Sequence, residues 1–426
     1  MVLPISANGQ ATTPHLSVEA AVQKALHHNS SMREASANKA VADESVKSAR
    51  ADLLPKISAG YGYIALKETP VMKTEAGENQ IASRNQYNWN VTVVQPLFAG
   101  FALISKYNIA RLDAISRTLE KEQTILDLTR SVRKACYDLL LAEKILEVRN
   151  NEVETLSAHK RDAELFFSQG LIPPNDRLKA DVALSNALQE QERARANVRK
   201  AVISINRLLN QPLESELRIE DASIPFQKND DLAILSERAL NDRPILRLVN
   251  ISMEQLGLAE KISQSAWYPN ISLVGSYEKT GDNPGASNND YSNSDGSWVG
   301  VQVKWDFWQS GKILSEVSRT RYQMKALKAR IESVKAQVLE EVSGALLDCR
   351  VAHTNIATAQ KGLSQARENW RITDLQYQQQ VATSTDVLDA RSFLTQADTS
   401  YYRAVYSYLD AVAGLERAIG KKSSIE

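Results

Sequence analysis

The sequence predicts a mainly α-helical chain with a small β part, internally duplicated, and three observations carry that expectation. Two long stretches, the first of them free of proline and glycine from 103 to 167, repeat apolar residues at alternating three- and four-residue steps. Four shorter segments alternate apolar and polar residues with the period of two that marks strands. The text also repeats itself at half the chain length.

The 426 residues are 43% hydrophobic and 24% charged, with 51 basic side chains balancing 51 acidic ones. That composition belongs to a folded chain. Zero net charge without a basic cluster excludes nucleic acid as the main partner, because phosphate binding needs concentrated positive charge. No apolar run reaches the roughly 18 residues of a transmembrane helix, so any membrane contact falls to strands. Residues 1–13 lack the basic region followed by a long apolar run of a signal peptide, Pro4 and Asn8 interrupting them, which leaves an unexported or a processed form. Cys136 and Cys349 lie in helical patterns without a second ligand at metal spacing and read as small apolar groups; no metal site and no cofactor is expected. Phosphate loops, dinucleotide fingerprints and nucleophile elbows are missing, and the five histidines form no metalloprotease pattern, so an enzyme is not expected.

The duplication is read from matched residues. Ala25, Arg33, Pro55, Ile57 and Tyr63 match Ala239, Arg247, Pro269, Ile271 and Tyr277 at an offset of 214; Val91, Val132, Asp138, Asp176 and Leu184 match Val301, Val342, Asp348, Asp386 and Leu394 at 210. The four-residue slip falls in a polar loop. The expected repeats are 17–230 and 231–420, read as two halves of one body because neither closes its own apolar surface.

In order along the chain, residues 17–54 and 245–266 read as the shorter helices before the strands. Pro55 and Pro269 end them, since the residue before proline is driven out of the helical region. The strands and their loops occupy 57–98 and 271–308. Trp89, Val91 and Val93, then Val299, Val301 and Val303, alternate with Asn, Thr, Gly and Gln. Each strand is about ten residues long, enough to cross a bilayer when tilted. The loops 68–84 and 281–296 are polar and belong in water. Five of the six tryptophans lie in or beside the strands, and Trp89, Trp298 and Trp305 suggest aromatic girdles at a membrane interface. Residues 99–209 and 309–418 form the helical part. The run 103–167 places Leu128, Val132, Ala135 and Leu139 on one seam, and 338–366 repeats it with Val338, Val342, Ala345 and Cys349. At 1.5 Å per residue each long helix reaches roughly 100 Å. Gly170 to Pro174 ends the first, with Asn175 or Asp176 as cap of the next; residues 380–385 do the same in the second half.

Four strands cannot close a transmembrane barrel, and an open edge in lipid leaves backbone groups unsatisfied. Three copies would give twelve strands, continuous with a cylinder of long helices. The competing reading from the heptads alone is a soluble periplasmic coiled-coil structural or adaptor protein.

Taken together, the duplicated proline-strand junctions, the run Gln95 to Gly100 leading into a long helix, and the turns 167–176 and 377–390 resemble the TolC family of outer-membrane efflux channels over essentially the whole chain. The resemblance implies a homotrimer: a 12-stranded transmembrane β-barrel, four strands per protomer, continuous with a periplasmic α-helical barrel of long coiled-coil helices. It implies a mixed equatorial region at 210–242 with the chain termini, contact with outer-membrane lipid, and passive export of substrates from a periplasmic adaptor protein and an inner-membrane transporter, in efflux or type I secretion. It further implies that Asp386 and Asp389 line a cation-attracting periplasmic gate, that Asp176 and Tyr377 form a gate latch, and that Gly170, Leu171, Gln380 and Val381 lie on adaptor-contact turns. Asp386 also suits helix capping, as its counterpart Asp176 does, whereas Asp389 is opposite Lys179. The family's usual arginine latch is Ala382 here, a usual glycine is Gln380, and Asp306 stands opposite Pro96. No cysteine near the N-terminus supports a lipid anchor.

Overall fold

In a computed structural model the described residues are 15–75, 77–221 and 231–421. Residues 1–13, where a signal peptide was sought, and residues 222–230 of the equatorial segment lie outside them. The chain runs β1 (His15–Leu16), α1 (Val18–His28), α2 (Ser30–Ala51), β2 (Lys56–Ala65), β3 (Val71–Thr74), β4 (Gly77–Gln80), β5 (Asn85–Ala99), α3 (Ala102–Ser168) and α4 (Pro174–Leu208). It continues through β6 (Arg218–Ile219), α5 (Leu232–Asp242), α6 (Pro244–Gln264), a 3-10 turn (Ser265–Trp267), β7 (Asn270–Gly281), β8 (Asp295–Lys304), α7 (Lys312–Gln378) and α8 (Ser384–Ala418).

The duplication appears as matched helices: α1 and α5 have 11 residues each, α3 and α7 have 67, and α4 and α8 have 35. Neither repeat is a unit by itself. One compact unit runs through Ser36, then Glu120–Leu246, and resumes at Ser333; the other is Ala37–Leu119 with Arg247–Glu332.

In the first unit α3 is the spine. Val132, Cys136 and Leu139 are fully enclosed, packed with Ala21 and Ala25 of α1, Ile205 of α4, and Leu409 and Ala413 of α8. A sister cluster joins Ala239 of α5, Val338 and Val342 of α7, and Ala418 at the end of α8. The buried face around Cys136 is wider than a heptad seam, taking in Leu126, Tyr137 and Leu140 as well, because helices pack on more than one side of it. Both cysteines are free and buried. Burial pushes the thiols up to about 12 for Cys136 and about 11 for Cys349, which leaves them inert.

The helix expected over 17–54 is two helices. Asn29 ends α1 in extended conformation, and its side-chain oxygen then accepts from the Ser31 amide at 2.8 Å and hydroxyl at 2.7 Å. Its Nδ2 donates to the Leu208 carbonyl at 2.7 Å. Arg243 repeats this between α5 and α6, donating through Nη1 to the Ala418 carbonyl at 3.2 Å and to Glu341 at 3.0 Å. One buried donor per repeat thus satisfies an orphan carbonyl at the end of a returning helix.

The second unit holds an antiparallel sheet in the order β2-β5-β7-β8, in which β5 and β7 join the two repeats. The register puts Ile57, Tyr61, Trp89, Val91, Val93, Ile271, Leu273, Tyr277, Val299 and Val301 on one face. The opposite face carries Ser58, Asn88, Asn90, Thr92, Ser276 and Gln302, with Thr92 and Ser276 hydroxyls 3.2 Å apart. Trp298 falls on this polar face, opposite Ser276, so the register separates it from Trp89. Its position in the alternation is one residue out of phase with Val299 and Val301. The polar loop 68–84 contains the small hairpin of β3 and β4.

Candidate functional site: the helix-turn end and the sheet edges

The turns between α3 and α4 and between α7 and α8 have the same backbone. Gly170 accepts a positive φ of 73°, and its amide bonds the Phe167 carbonyl at 3.0 Å while Leu171 bonds Phe166 at 2.9 Å. Gln380 adopts φ 60°, bonding Tyr377 at 2.9 Å, with Val381 bonding Gln376 at 2.8 Å. Both are Schellman closures, and Gln380 adopts the left-handed conformation without glycine at a cost of about 1 kcal/mol. Leu171 and Val381 stand exposed at the tips, the latter at 76%.

The helices that follow begin differently. Thr383 caps α8 in a reciprocal box: the Asp386 carboxylate accepts from the Thr383 amide at 2.8 Å and hydroxyl at 2.7 Å. These bonds hold the Asp386 carboxyl below the usual carboxylate range. In α4 the cap position is Pro173, which has no side-chain acceptor and no amide proton, so no box forms. Neither Asn175 nor Asp176 is the cap. The Asp176 carboxylate instead pairs with Lys179 at 3.2 Å, and Lys179 also donates to Thr385 at 3.0 Å, tying one turn to the other. Asp389 is exposed, with no hydrogen bond or ion pair among the described residues.

Tyr377 is buried, with its ring 4.8 Å from His159 and 5.6 Å from Phe166. Its hydroxyl has no hydrogen-bond partner, and none joins it to Asp176. Burial, with the charges of Asp162 and Asp176 nearby, pushes the phenol up to about 12. Next to it, the buried His159 Nε2 lies 2.9 Å from the Ser384 hydroxyl. His159 with Ser384, and Lys179 with Thr385, link α8 to α3 and α4 here. Sequence periodicity gives no sign of these links, because Ser384 and Thr385 lie more than 200 residues from His159 and Lys179.

In the second unit, β2 and β8 each have only one neighbour. Ile57 is 73% exposed and Val299 77%. Trp89 packs edge-on against Tyr277 with centroids 5.5 Å apart, and Trp305 Nε1 donates to the Trp267 carbonyl at 3.2 Å. Phe98, Phe101 and Tyr268 form an edge-to-face cluster where the sheet meets α3. Gly100 is required there: φ is 56°, and a Cβ would stand 2.5 Å from the Ser265 carbonyl oxygen. No described helix is long and apolar enough to cross a membrane.

A four-stranded sheet with an exposed apolar face, in a chain of paired long helices, is the make-up of an outer-membrane channel protein. The model of the family described as outer membrane efflux protein matches residues 21–211 and 235–421, and the chain belongs to that family. It is 21% identical over 420 residues to outer membrane protein TolC of Salmonella enteritidis, covering 93% of this chain and 80% of that one. It is likewise 21% identical over 376 residues to the alkaline protease secretion protein AprF of Pseudomonas aeruginosa, covering 86% and 76%. The solved Campylobacter jejuni CmeC outer membrane channel superposes with a TM-score of 0.82 at 14% identity, covering 97% and 90%. The chain is thus an outer-membrane exit channel for efflux or type I secretion in a Gram-negative bacterium, its helical part in the periplasm.

Proposed function

We propose that three copies of this chain join β8 of one to β2 of the next, making a twelve-stranded barrel in the outer membrane. The observation that carries this is the sheet itself: two unpaired ten-residue edges and one apolar face, an arrangement stable in lipid only when closed. Trp89 and Trp305 then belong to aromatic girdles in outer-membrane lipid, while Trp298 turns to the lumen. The repeats are two halves of the protomer, with 210–242 and the termini at its equator.

The turns at 169–173 and 379–383 form the periplasmic entrance. Asp389, exposed and unpaired, contributes the main carboxylate of a cation ring; Asp386, engaged in its cap, adds the second. Tyr377 and Asp176 act as a latch through packing and charge, with Lys179 and His159 supplying the direct links. Gly170, Leu171, Gln380 and Val381 present the turns to a periplasmic adaptor, which couples the channel to an inner-membrane transporter. The channel conducts passively and performs no catalysis.

Single-channel recording in a planar bilayer tests this reading. Small cation-selective openings, blocked by divalent cations from one side, are expected, and Asp389→Asn should weaken that block by about tenfold through loss of three carboxylates. Undiminished block in the variant would remove Asp389 from the entrance.

A further inference from the structure

His159 lies among the entrance helices and, unlike the other links of the latch, carries a group that titrates near neutral pH. It is 5% exposed, on α3, three turns before the Gly170 turn. Its Nε2 is 2.9 Å from the hydroxyl of Ser384, the first residue of α8, itself 1% exposed. The other side of the ring meets Tyr377 on α7. One imidazole therefore touches both helices that flank the 379–383 turn.

We propose that His159 is a positioning residue of the entrance: as a neutral ring it clasps the start of α8 to α3, and protonation releases that clasp and favours opening in mild acid. The proposal rests on the entrance reading above.

The surroundings argue for the neutral ring. Burial removes the water that would solvate an imidazolium. Ser384 belongs to the first turn of α8, whose partial positive charge disfavours a neighbouring cation. Tyr377 presents a neutral phenol from α7. Against these stand Asp162 on α3, which favours the cation, Asp374 on α7, which neighbours Asp162, and Asp176 on α4, which reaches the cluster through Tyr377. On α8 the carboxylate of Asp386 is engaged by Thr383. Burial outweighs Asp162, and the imidazole is held below its ordinary value near 6.5. A released ring thus takes a proton more readily than a clasped one. The clasp is at full strength above about pH 6.5 and weakens as pH falls below it, where the open form binds more protons.

The test is open probability in planar bilayers at pH 7.5 and 5.5 for the wild-type channel and His159→Gln, which keeps a hydrogen-bonding amide but cannot titrate. Divalent block and its weakening in Asp389→Asn report on the entrance independently. The expected result is a rise of about three- to tenfold in the wild type, abolished in His159→Gln. A rise that persists in His159→Gln, or no rise while Asp389→Asn still weakens block, overturns the clasp and leaves the entrance reading standing. No rise together with no block removes both. Hydrogen exchange of wild-type residues 376–388, corrected for the intrinsic pH dependence, needs no variant. Protection should fall at pH 5.5, and unchanged protection overturns the proposal.

Discussion

Thr383 and Pro173 occupy equivalent places in the two repeats, and the difference between a hydroxyl and a pyrrolidine decides what the aspartate three residues later does. Thr383→Ala removes the cap of α8 and should destabilise the second turn by about 1 kcal/mol, read as faster amide exchange at 384–388 with 174–178 unchanged. The Asp386 carboxyl should rise towards its ordinary range in the same variant. Its stabilising influence is present above that range and is lost as pH falls through the depressed native value, so acid sensitivity at this turn should shrink in Thr383→Ala. A capping role was legible for Asp386 and Asp176 alike; in the structure Thr383 is the cap of α8 and Asp386 closes its box, whereas Asp176 has no such role because Pro173 cannot supply the other half. The clasp at His159 was not legible at all. A helical period assigns a residue to a face, but Ser384 is 225 positions away, and only the fold brings it to that face.

At the scale of elements, proline, glycine and periodicity located the long helices to within a few residues, because little else competes with propensity over 67 residues. The break at Asn29 escaped that reasoning. No proline follows it, whereas Pro244 stands directly after its counterpart Arg243; the break comes from a buried amide whose partner is the end of α4. The strands show the complementary failure. Their period was plain, yet Trp298 was grouped with Trp89 by residue type rather than by phase, and pairing with Ser276 puts it on the polar side. Packing of α3 carries the strongest energetic expectation. Leu139 is fully enclosed, and Leu139→Ala should destabilise the first unit by about 2–5 kcal/mol, the range for a buried leucine whose cavity does not collapse. Exposed Leu178 of α4 serves as the control, and its replacement by alanine should shift denaturation little.

For the whole molecule, the duplication was the most informative feature of the sequence, and the way the units draw on both repeats was the least accessible. Each compact unit takes segments from both repeats, so the boundary between them crosses the long helices where no composition change marks it. One chain does not display the subunit number; three copies are the assembly proposed above to close the sheet. Purified protein in detergent should therefore migrate as a trimer on an unheated gel and as a monomer after boiling, the behaviour of a closed β-barrel. A single unheated band at monomer mobility would contradict edge-to-edge closure.

The equal lengths of α3 and α7, and of α4 and α8, impose a rule on change. Seven residues inserted into one long helix would displace its turn by about 10 Å from the sister turn, breaking the Lys179 to Thr385 and His159 to Ser384 links together. The polar loops of the sheet face no such demand, and the first already exceeds the second by the four residues of the register slip. Growth or loss of helix is tolerated only in matched pairs, whereas the loops are free to drift, so evolution and engineering alike have independent room in the loops and coupled steps in the long helices.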